Sequence, residues 1–295
     1  MESKQAYLII AHKDDLTFRT LISMLDYKYN DIFIHMDKKN KNYDERVIEE
    51  LVTQCKVYHT NRTNVMWGGY SLINAEMILL QKATETGKYQ HYHLLSGEDL
   101  PIQKQEIIQK FFEEQAGKEF VAFDQEEFHF NDQVCYRYFF QEKIGRRKGI
   151  LWKIQKILIE SQRLLAIKRN RKIRFQKGTN WFSITDELAR YVIEKKDWIK
   201  KTFKNSYCAD EIFLQTIIFN SYFIHNLYYN GYDDQGKSTM RFIDWERGYP
   251  YIFRNEDLVS LKNSRLLFAR KFDCNMDRNI IKQIQDLNGI QNIVH

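Results

Sequence analysis

The chain has 295 residues, of which 43% are hydrophobic and 28% are charged, and its formal net charge is +6. This composition is typical of a globular protein with a large core, and the presence of only two prolines and twelve glycines argues against long disordered linkers. No apolar run approaches the roughly eighteen residues of a membrane-spanning helix, so we expect a chain that does not cross a bilayer.

The cysteines and the opening residues predict a reduced, cytoplasmic protein. The four cysteines lie far apart and form no C-x-x-C pair, and the first four residues lack the pattern of a signal peptide. Disulfides are rare in reducing compartments, so this usage favours the cytoplasm. We expect a cytoplasmic protein, including one that is peripheral to the inner face of the cell membrane.

The first 125 residues alternate between strands and helices. Buried apolar runs predict strands over residues 7–11, 31–36, 56–58, 89–95 and 120–123, and amphipathic spacing predicts helices over 16–29, 45–53, 71–84 and 104–114. Strands that alternate with helices of this length predict a mostly parallel sheet covered by helices on both faces.

Polar residues follow three of these strands directly, at positions 12–15, 37–39 and 96–101. In open parallel sheets, ligands bind beyond the carboxyl ends of the strands. We therefore expect the functional site along this edge of the sheet.

A strongly basic stretch, residues 143–177, interrupts the alternation. It contains thirteen Lys and Arg residues against one acid, Glu160, and its charge of +12 leaves the rest of the chain at −6. Its middle has helical apolar spacing, with Leu151, Ile154 and Leu165 on one side. A basic amphipathic helix is typical of a membrane surface. The alternative is a helix whose apolar face docks on the domain. No recognised nucleic-acid module accompanies the charge, which argues against nucleic acid as a partner.

Two carboxylates follow in the second half of the chain, after a strand predicted over residues 178–185 and a helix that begins at 185–187. Asp210 and Glu211 precede an apolar run, residues 212–218, that predicts a buried helix. We expect both acids near its first turn, where free backbone N–H groups favour negative charge. A carboxylate held there suits a general base, and the alternative is that one acid caps the helix while the other is solvated.

Eight short blocks occur in one order along the chain. They are Ala11-His12, His35-Met36-Asp37-Lys38-Lys39, Trp67-Gly68-Gly69-Tyr70-Ser71-Leu72, Leu95-Ser96-Gly97-Glu98-Asp99-Leu100-Pro101, Asn180-Trp181-Phe182, Ala209-Asp210-Glu211, Arg241-Phe242-Ile243-Asp244-Trp245 and Phe268-Ala269-Arg270-Lys271-Phe272-Asp273. Together they resemble the core-2/I-branching β-1,6-N-acetylglucosaminyltransferase family, which also contains the peptide O-xylosyltransferases. The resemblance covers about residues 6–275, and the chain looks like a bacterial cytosolic member.

The resemblance implies an α/β fold, a GT-A-like glycosyltransferase with a Rossmann-like, mostly parallel central sheet and helices on both faces. It implies one domain over residues 1–295, with a nucleotide-sugar-binding half at 1–125, a basic helical insertion at 143–177 and an acceptor and catalytic half at 178–295. The family inverts the anomeric centre and lacks the metal-binding Asp-x-Asp. This chain contains no such triplet, so we expect no metal site and no divalent cofactor.

The resemblance also implies roles for single residues on the donor side. Glu211 matches the catalytic base. The UDP-sugar contacts are expected from the set His12, Asp37, Arg62, Arg270, Lys271 and Arg247. Arg270 and Lys271 would offset the charge of the departing UDP in place of a metal. For a further diphosphate contact, Arg254 is the alternative to Arg247.

On the acceptor side the resemblance implies contacts from Asn180, Trp181, Trp245 and Asp99. The expected donor sugar is GlcNAc, or else xylose, glucose or galactose. The expected acceptor is a saccharide or lipid-linked saccharide of capsule, exopolysaccharide or lipopolysaccharide assembly, with peripheral contact to an anionic membrane through residues 143–177.

Two other functions compete with this interpretation. Residues 9–15 are similar to the strand and His-Pro-Asp-Asp motif of zinc-dependent sugar deacetylases, although Lys13 replaces the proline. His91 and His93 are close enough in sequence to reach one metal, but a pair without a third ligand is more often structural. A non-enzymatic membrane-surface protein is the other alternative, and it leaves the eight ordered blocks unexplained.

Overall fold

Two β-sheets form the framework of the computed structural model, which describes residues 3–232 and 235–289. The strands are β1 (Gln5–Ala11), β2 (Asn30–Met36), β3 (Lys56–His59), β4 (His91–Ser96), β5 (Asp99–Pro101), β6 (Phe120–Val121), β7 (Phe182–Thr185), β8 (Arg241–Ile243) and β9 (Phe268–Arg270). The predicted domain also includes residues 1–2, 233–234 and 290–295, which lie outside the described part.

The larger sheet has the strand order β3-β2-β1-β4-β7-β6. Its first four strands are parallel, β7 is antiparallel to β4, and β6 is antiparallel to β7. The predicted fold class is confirmed in that the central sheet is mostly parallel and belongs to an α/β protein. The smaller sheet has the order β5-β9-β8.

Helices cover the larger sheet on both faces. They are α1 (Leu16–Met24), α2 (Glu45–Glu49), α3 (Tyr70–Thr86), α4 (Gln105–Glu114), α5 (Asn131–Cys135), α6 (Gln141–Ile144), α7 (Ile150–Leu164), α8 (Asp186–Glu194), α9 (Lys196–Phe203), α10 (Phe213–Phe219), α11 (Gln235–Thr239), α12 (Leu258–Asn263) and α13 (Arg278–Leu287). Among the described residues, no helix is both long and apolar enough to span a membrane.

The apolar residues of β1 alternate between two cores, because successive side chains of a strand point to opposite faces. Ala6 and Leu8 pack in the core that α3, α8 and α10 complete. Tyr7 and Ile9 pack in the core that α1, α4 and α13 complete.

Helices α1 and α2 end sooner than the sequence predicts, at Met24 and Glu49. The Asp26 carboxylate accepts hydrogen bonds from the backbone N–H groups of residues 53–55, at 2.8 to 3.0 Å. Because these backbone N–H groups bind Asp26, residues 53–55 do not extend α2, and the segment that carries Asp26 does not extend α1.

The strand predicted over residues 178–185 begins only at Phe182. Gly178 lies so close to the neighbouring segment that an added Cβ would be 1.8 Å from the carbonyl oxygen of Ala122. The segment 178–181, before β7, therefore packs closely against the residue that follows β6 and does not pair in the sheet. Its position beside the carboxyl end of β4 brings Asn180 and Trp181 to the expected edge.

The smaller sheet delivers a second segment to the same edge. Strand β5 follows β4 after two residues, and Asp99 of β5 pairs with Arg270 of β9. Strand β8 is parallel to β9, with Ile243 opposite Arg270. The Arg270-Lys271 pair therefore lies next to the turn that leaves β4.

Helix α7, the helical part of the basic stretch, docks on the protein through a side that carries two glutamines. Its buried side chains are Gln155, Ile159 and Gln162. The Gln155 side chain accepts from the Phe140 N–H at 2.9 Å, and Gln162 accepts from the backbone N–H of residue 137 at the same distance. The alternative that its apolar face docks on the domain is wrong.

Candidate active site

Strands β1, β2 and β4 end at one edge, as the sequence predicts. The Asp37 N–H donates to the Ala11 carbonyl at 2.8 Å, and the Gly97 N–H donates to the Ile10 carbonyl at 3.1 Å. These bonds place the residues that follow the three strands side by side. His12, which follows β1, is exposed at this edge.

Asp37 is a buried carboxylate at the end of β2. Its side chain forms an ion pair with Lys39 at 3.0 Å and accepts from the Lys39 N–H at 2.9 Å. Its predicted role as a donor contact stays a prediction, but its position at the sheet edge is that expected of a nucleotide-binding residue.

Arg62 holds the loop after β2. Its guanidinium donates to the carbonyls of Met36 at 3.2 Å and Asp37 at 3.0 Å, and also to that of Asn40. Arg62 therefore stabilises the loop that carries Asp37. Its predicted contact with the donor stays a prediction.

Arg270 lies between an aromatic ring and a carboxylate. Its guanidinium carbon is 4.1 Å from the centre of the Trp181 ring, and its Nη1 is 3.4 Å from Asp99 Oδ1. Asp99 also accepts from the N–H and Oγ of Ser96, at 2.9 and 2.7 Å. Trp181 and Asp99, both predicted to contact the acceptor, are buried here and hold Arg270 in place.

Lys271 extends from the same strand end and is partly exposed. Its Nζ is 3.0 Å from Glu98 Oε2, and 27% of its side chain is exposed. Lys13, which no sequence motif grouped with Lys271, lies 3.5 Å from Glu98 Oε1 and 3.4 Å from Asp273 Oδ2. Two lysines therefore share Glu98 at the edge of the sheet.

Glu211 belongs to a 3-10 turn, Ala209–Glu211, and not to the first turn of α10. The Cys208 N–H donates to the Gly68 carbonyl at 3.0 Å, and the Glu211 carbonyl accepts from the Gly178 N–H at 2.9 Å. These contacts to neighbouring loops replace the helical pattern. Neither acid caps α10, whose N-cap is Ile212 without a side-chain hydrogen bond. Both acids thus lie directly before α10, near its first turn as predicted but not within it, and the capping alternative is wrong.

The Glu211 carboxylate is held by a lysine. Its Oε2 is 3.3 Å from Lys177 Nζ, and the side chain remains 39% exposed. Partial desolvation raises the pKa of Glu211 above its usual value, Lys177 opposes this shift, and Asp124 adds to it. Lys177, which the sequence showed only as the end of the basic stretch, is therefore part of the site.

Asp210 points into the protein, towards a second buried carboxyl on α3. Asp210 Oδ1 and both carboxyl oxygens of Glu76 have no hydrogen-bond partner among the described residues. Burial raises the pKa of Asp210, and the neighbouring Glu211 charge raises it further. Burial and the Asp210 charge likewise raise the pKa of Glu76. Glu211 is thus the member of the pair that meets solvent as a carboxylate.

The segment 177–181 connects the two halves of the site. At its start Lys177 pairs with Glu211, and at its end Trp181 supports Arg270. Asn180, predicted to bind the acceptor, lies half-buried between them.

The predicted residues after β8 lie at the end of the smaller sheet. Trp245 is 46% exposed. Arg247 pairs with Asp244 at 2.5 Å and with Asp257 at 2.7 Å, whereas the Arg254 side chain is exposed.

The two histidines of the deacetylase alternative are buried in β4 and bound to protein groups. His93 lies 2.8 Å from Ser183 Oγ and 3.2 Å from Gln5 Oε1, and His91 lies 3.0 Å from the Lys118 carbonyl. Within residues 3–232 and 235–289, no group of three or more His, Cys, Asp or Glu residues is arranged to hold a metal ion.

Comparison with known proteins gives one family. The sequence model of the Core-2/I-Branching enzyme family matches residues 5–261. The crystal structure of mouse xyloside xylosyltransferase 1, apo form, is similar over 92% of this chain and 98% of that chain, with 9% sequence identity and a TM-score of 0.34. That likeness is too low to support an inference about this chain. No curated protein matches the sequence.

Proposed function

Because the chain belongs to the Core-2/I-branching enzyme family, we propose that it is an inverting glycosyltransferase that moves a sugar from a UDP-sugar to a saccharide hydroxyl. The observation that carries this proposal is the Glu211 carboxylate. It is partly exposed, its pKa is raised, and two loops and Lys177 fix its position. Family membership favours this function over a deacetylase or a non-enzymatic surface protein.

In the proposed reaction, Glu211 takes the proton of an acceptor hydroxyl. The acceptor oxygen attacks C1 of the donor sugar from the face opposite UDP. The new C1–O bond forms as the bond between C1 and the diphosphate oxygen breaks, and the anomeric centre inverts. A carboxylate with a raised pKa holds the proton more strongly than an ordinary glutamate, which favours this transfer.

The departing UDP carries negative charge that a cation must offset. We assign this role to Arg270 and Lys271, with Arg247 or Arg254 as a further diphosphate contact, and propose that no divalent metal is required. Arg270 is held in position by Trp181 and Asp99, so little reorganisation is needed when the diphosphate binds. His12 and Asp37 are the proposed nucleoside contacts at the adjoining strand ends.

The acceptor is proposed to lie beside Glu211, Asn180 and Trp245. The exposed Trp245 ring suits stacking against a sugar, since aromatic side chains combine an apolar face with a polar edge. A lipid-linked saccharide of capsule, exopolysaccharide or lipopolysaccharide assembly is the proposed acceptor class.

A panel of UDP-sugars tests the donor assignment. UDP-GlcNAc, UDP-xylose, UDP-glucose and UDP-galactose should each be added in thermal-shift measurements, followed by assays of hydrolysis and transfer. At least one should raise the melting temperature, because a ligand that binds only the folded state stabilises it by mass action. If neither UDP nor any of these UDP-sugars shifts the transition, the proposed function is wrong.

We also propose that α7 rests on an anionic membrane. Three of its apolar side chains form a stripe that faces solvent: Ile150 is 77% exposed, Ile157 is 65% exposed, and Ile154 lies between them on the same side. Lys153 and Lys156 are exposed beside this stripe. An outward apolar stripe flanked by basic residues matches the interface of a bilayer with anionic headgroups.

Vesicle co-sedimentation tests this contact. The protein should bind vesicles of phosphatidylcholine and phosphatidylglycerol and be released as salt rises, because surface charges are screened within about 8 Å at physiological ionic strength. Replacing Ile150, Ile154 and Ile157 by Gln should weaken binding at least about tenfold, since buried apolar area drives insertion.

The matched control removes three exposed apolar side chains elsewhere, by Ile107→Gln, Val259→Gln and Leu287→Gln. This variant should bind vesicles like the wild type. Equal loss in both triple variants, or no binding to anionic vesicles at low salt, would contradict the proposed membrane contact.

A further inference from the structure

A cavity of about 630 Å³ lies between α7 and the loop that carries Trp67. Trp152 and Lys156 of α7 line one side, and the residues just before the helix add Arg146 and Lys148. The opposite wall is aromatic and includes Trp67. This space lies apart from the groups already assigned to the donor and the base.

Two buried glutamines hold the cavity in shape. Gln141 donates to the Trp67 carbonyl at 2.9 Å and to the Gly145 carbonyl at 3.1 Å. Gln155 of α7 donates to Gln141 Oε1 at 3.2 Å. Both side chains are buried and hydrogen-bonded, so the shape of the cavity does not depend on a bound ligand.

The cavity carries more positive than negative charge, since four cations and one carboxylate, Glu160, line it. Of its four cations, only Arg163 forms ion pairs with acids. For Arg146, Lys148 and Lys156, the described part of the chain shows no ion pair with a carboxylate. Three such cations in one cavity suit a group that carries more than one negative charge, as a phosphate or diphosphate does.

Aromatic rings place two of these cations. The Arg146 guanidinium lies 4.9 Å from the centre of the Trp67 ring, and Lys156 Nζ lies 4.1 Å from that of Trp152. Such cation–π contacts hold a cation without neutralising it. The charges therefore remain available to an anionic ligand.

The aromatic wall leads to the candidate base. Trp67 packs edge-on against Tyr207 with ring centres 5.7 Å apart, and Tyr207 stacks on Tyr138 at 5.3 Å. Tyr207 immediately precedes Cys208, which is bonded to Gly68 at the start of the turn that carries Glu211. The wall therefore adjoins the turn that carries Glu211.

We propose that this cavity is an acceptor subsite for a saccharide that carries a phosphate or diphosphate. The sugar would contact Trp67 and Tyr207, and Arg146, Lys148 and Lys156 would bind the phosphate. The cavity's role as an acceptor site rests on the proposed function, whereas its preference for a phosphorylated saccharide rests on its own residues.

The test measures binding without transfer. With UDP at a saturating concentration to fill the donor site, the 1-phosphates of glucose, galactose and N-acetylglucosamine are titrated, each against its methyl glycoside. Binding is followed by tryptophan fluorescence and calorimetry. At least one sugar phosphate should bind at least about tenfold more tightly than its glycoside, which corresponds to one charge-assisted contact. No such preference in the wild type would overturn the proposal.

Two double variants locate the preference. Arg146→Gln with Lys156→Gln should abolish it, and Arg147→Gln with Lys153→Gln, which removes two exposed charges outside the cavity, should leave it intact. If the first variant still prefers the sugar phosphate, the proposed subsite is wrong. The proposal is also wrong if dioctanoyl phosphatidylglycerol, added to the wild type at the same concentration as the sugar phosphate, removes the preference. UDP affinity is measured in the same samples, so a failure of the donor site is seen separately.

Discussion

We expect Glu211→Gln to lower the rate of glycosyl transfer by about two to four decades, the usual effect of losing a general base. Glutamine keeps the shape of the side chain and its reach to Lys177, but it cannot accept the acceptor proton. The affinity for the UDP-sugar should not change, because Glu211 is assigned no donor contact. Initial rates of transfer and calorimetric titration of the donor measure the two effects.

Asp210→Asn is the matched control. The Asp210 side chain is buried beside Glu76, its pKa is raised, and a protonated carboxyl is close in shape and polarity to an amide. Transfer by this variant should fall by less than about tenfold, one decade corresponding to 1.4 kcal/mol. If Glu211→Gln transfers at a near-normal rate, Glu211 is not the base.

The pH profile gives a second measurement on the same residue. Only the ionised carboxylate can act as a base, and the pKa of Glu211 is raised by desolvation against the opposing charge of Lys177. Transfer by the wild type should therefore fall as the pH is lowered through this raised pKa, at a higher pH than an ordinary glutamate would give. The residual transfer of Glu211→Gln should lack this acidic limb.

Long periodic elements of the fold were predictable from the sequence, and the short ones were not. The strands of the parallel sheet are four to seven residues long and mostly apolar, so their positions along the chain and the polar edge were predictable. Strands β5, β8 and β9 have three residues each. Three residues show no periodicity, so the sheet that positions Arg270 appeared only in the structure.

Helix α7 shows why periodicity does not reveal the orientation of a helix. The spacing of Leu151, Ile154 and Leu165 predicts one apolar side, and the usual expectation is that this side faces the core. The structure buries Gln155 and Gln162 instead, because each satisfies backbone groups of the preceding loop. Two glutamines seven residues apart on one helical side were the available signal.

The sequence led to Glu211 as the candidate base, but it did not reveal the local geometry. The block Ala209-Asp210-Glu211 carries that proposal, whereas the 3-10 turn depends on contacts with Gly68 and Gly178, which are distant in sequence. The role of Lys177 was not predictable from the sequence for the same reason, its dependence on a contact between distant residues. Its contact with Glu211 joins residues 34 positions apart, and its sequence neighbours made it look like one more charge of a basic surface.

A second large effect is expected at Lys271. We expect Lys271→Ala to weaken UDP binding and slow transfer by at least about tenfold, since a charge-assisted contact in a partly dry site is worth roughly 1.5–3 kcal/mol. Calorimetry with UDP and initial-rate assays measure these losses. Lys271→Arg keeps the positive charge and is the matched control, so it should retain most of the UDP affinity. Equal losses in both variants would indicate a packing defect.

The response to a metal chelator is a second test of the proposal that Arg270 and Lys271 offset the charge of the departing UDP. Lys271 lies 3.0 Å from Glu98, and Arg270 lies 3.4 Å from Asp99, so each cation is positioned by a carboxylate that an incoming diphosphate must share or displace. If the two cations offset the leaving-group charge, EDTA should leave wild-type transfer intact. Transfer that stops in EDTA and returns with Mn²⁺ would mean that Asp37, Glu98 or Asp99 holds a metal during the reaction. Lys271 would then serve to position Glu98, and the charge of the departing UDP would be offset by the ion.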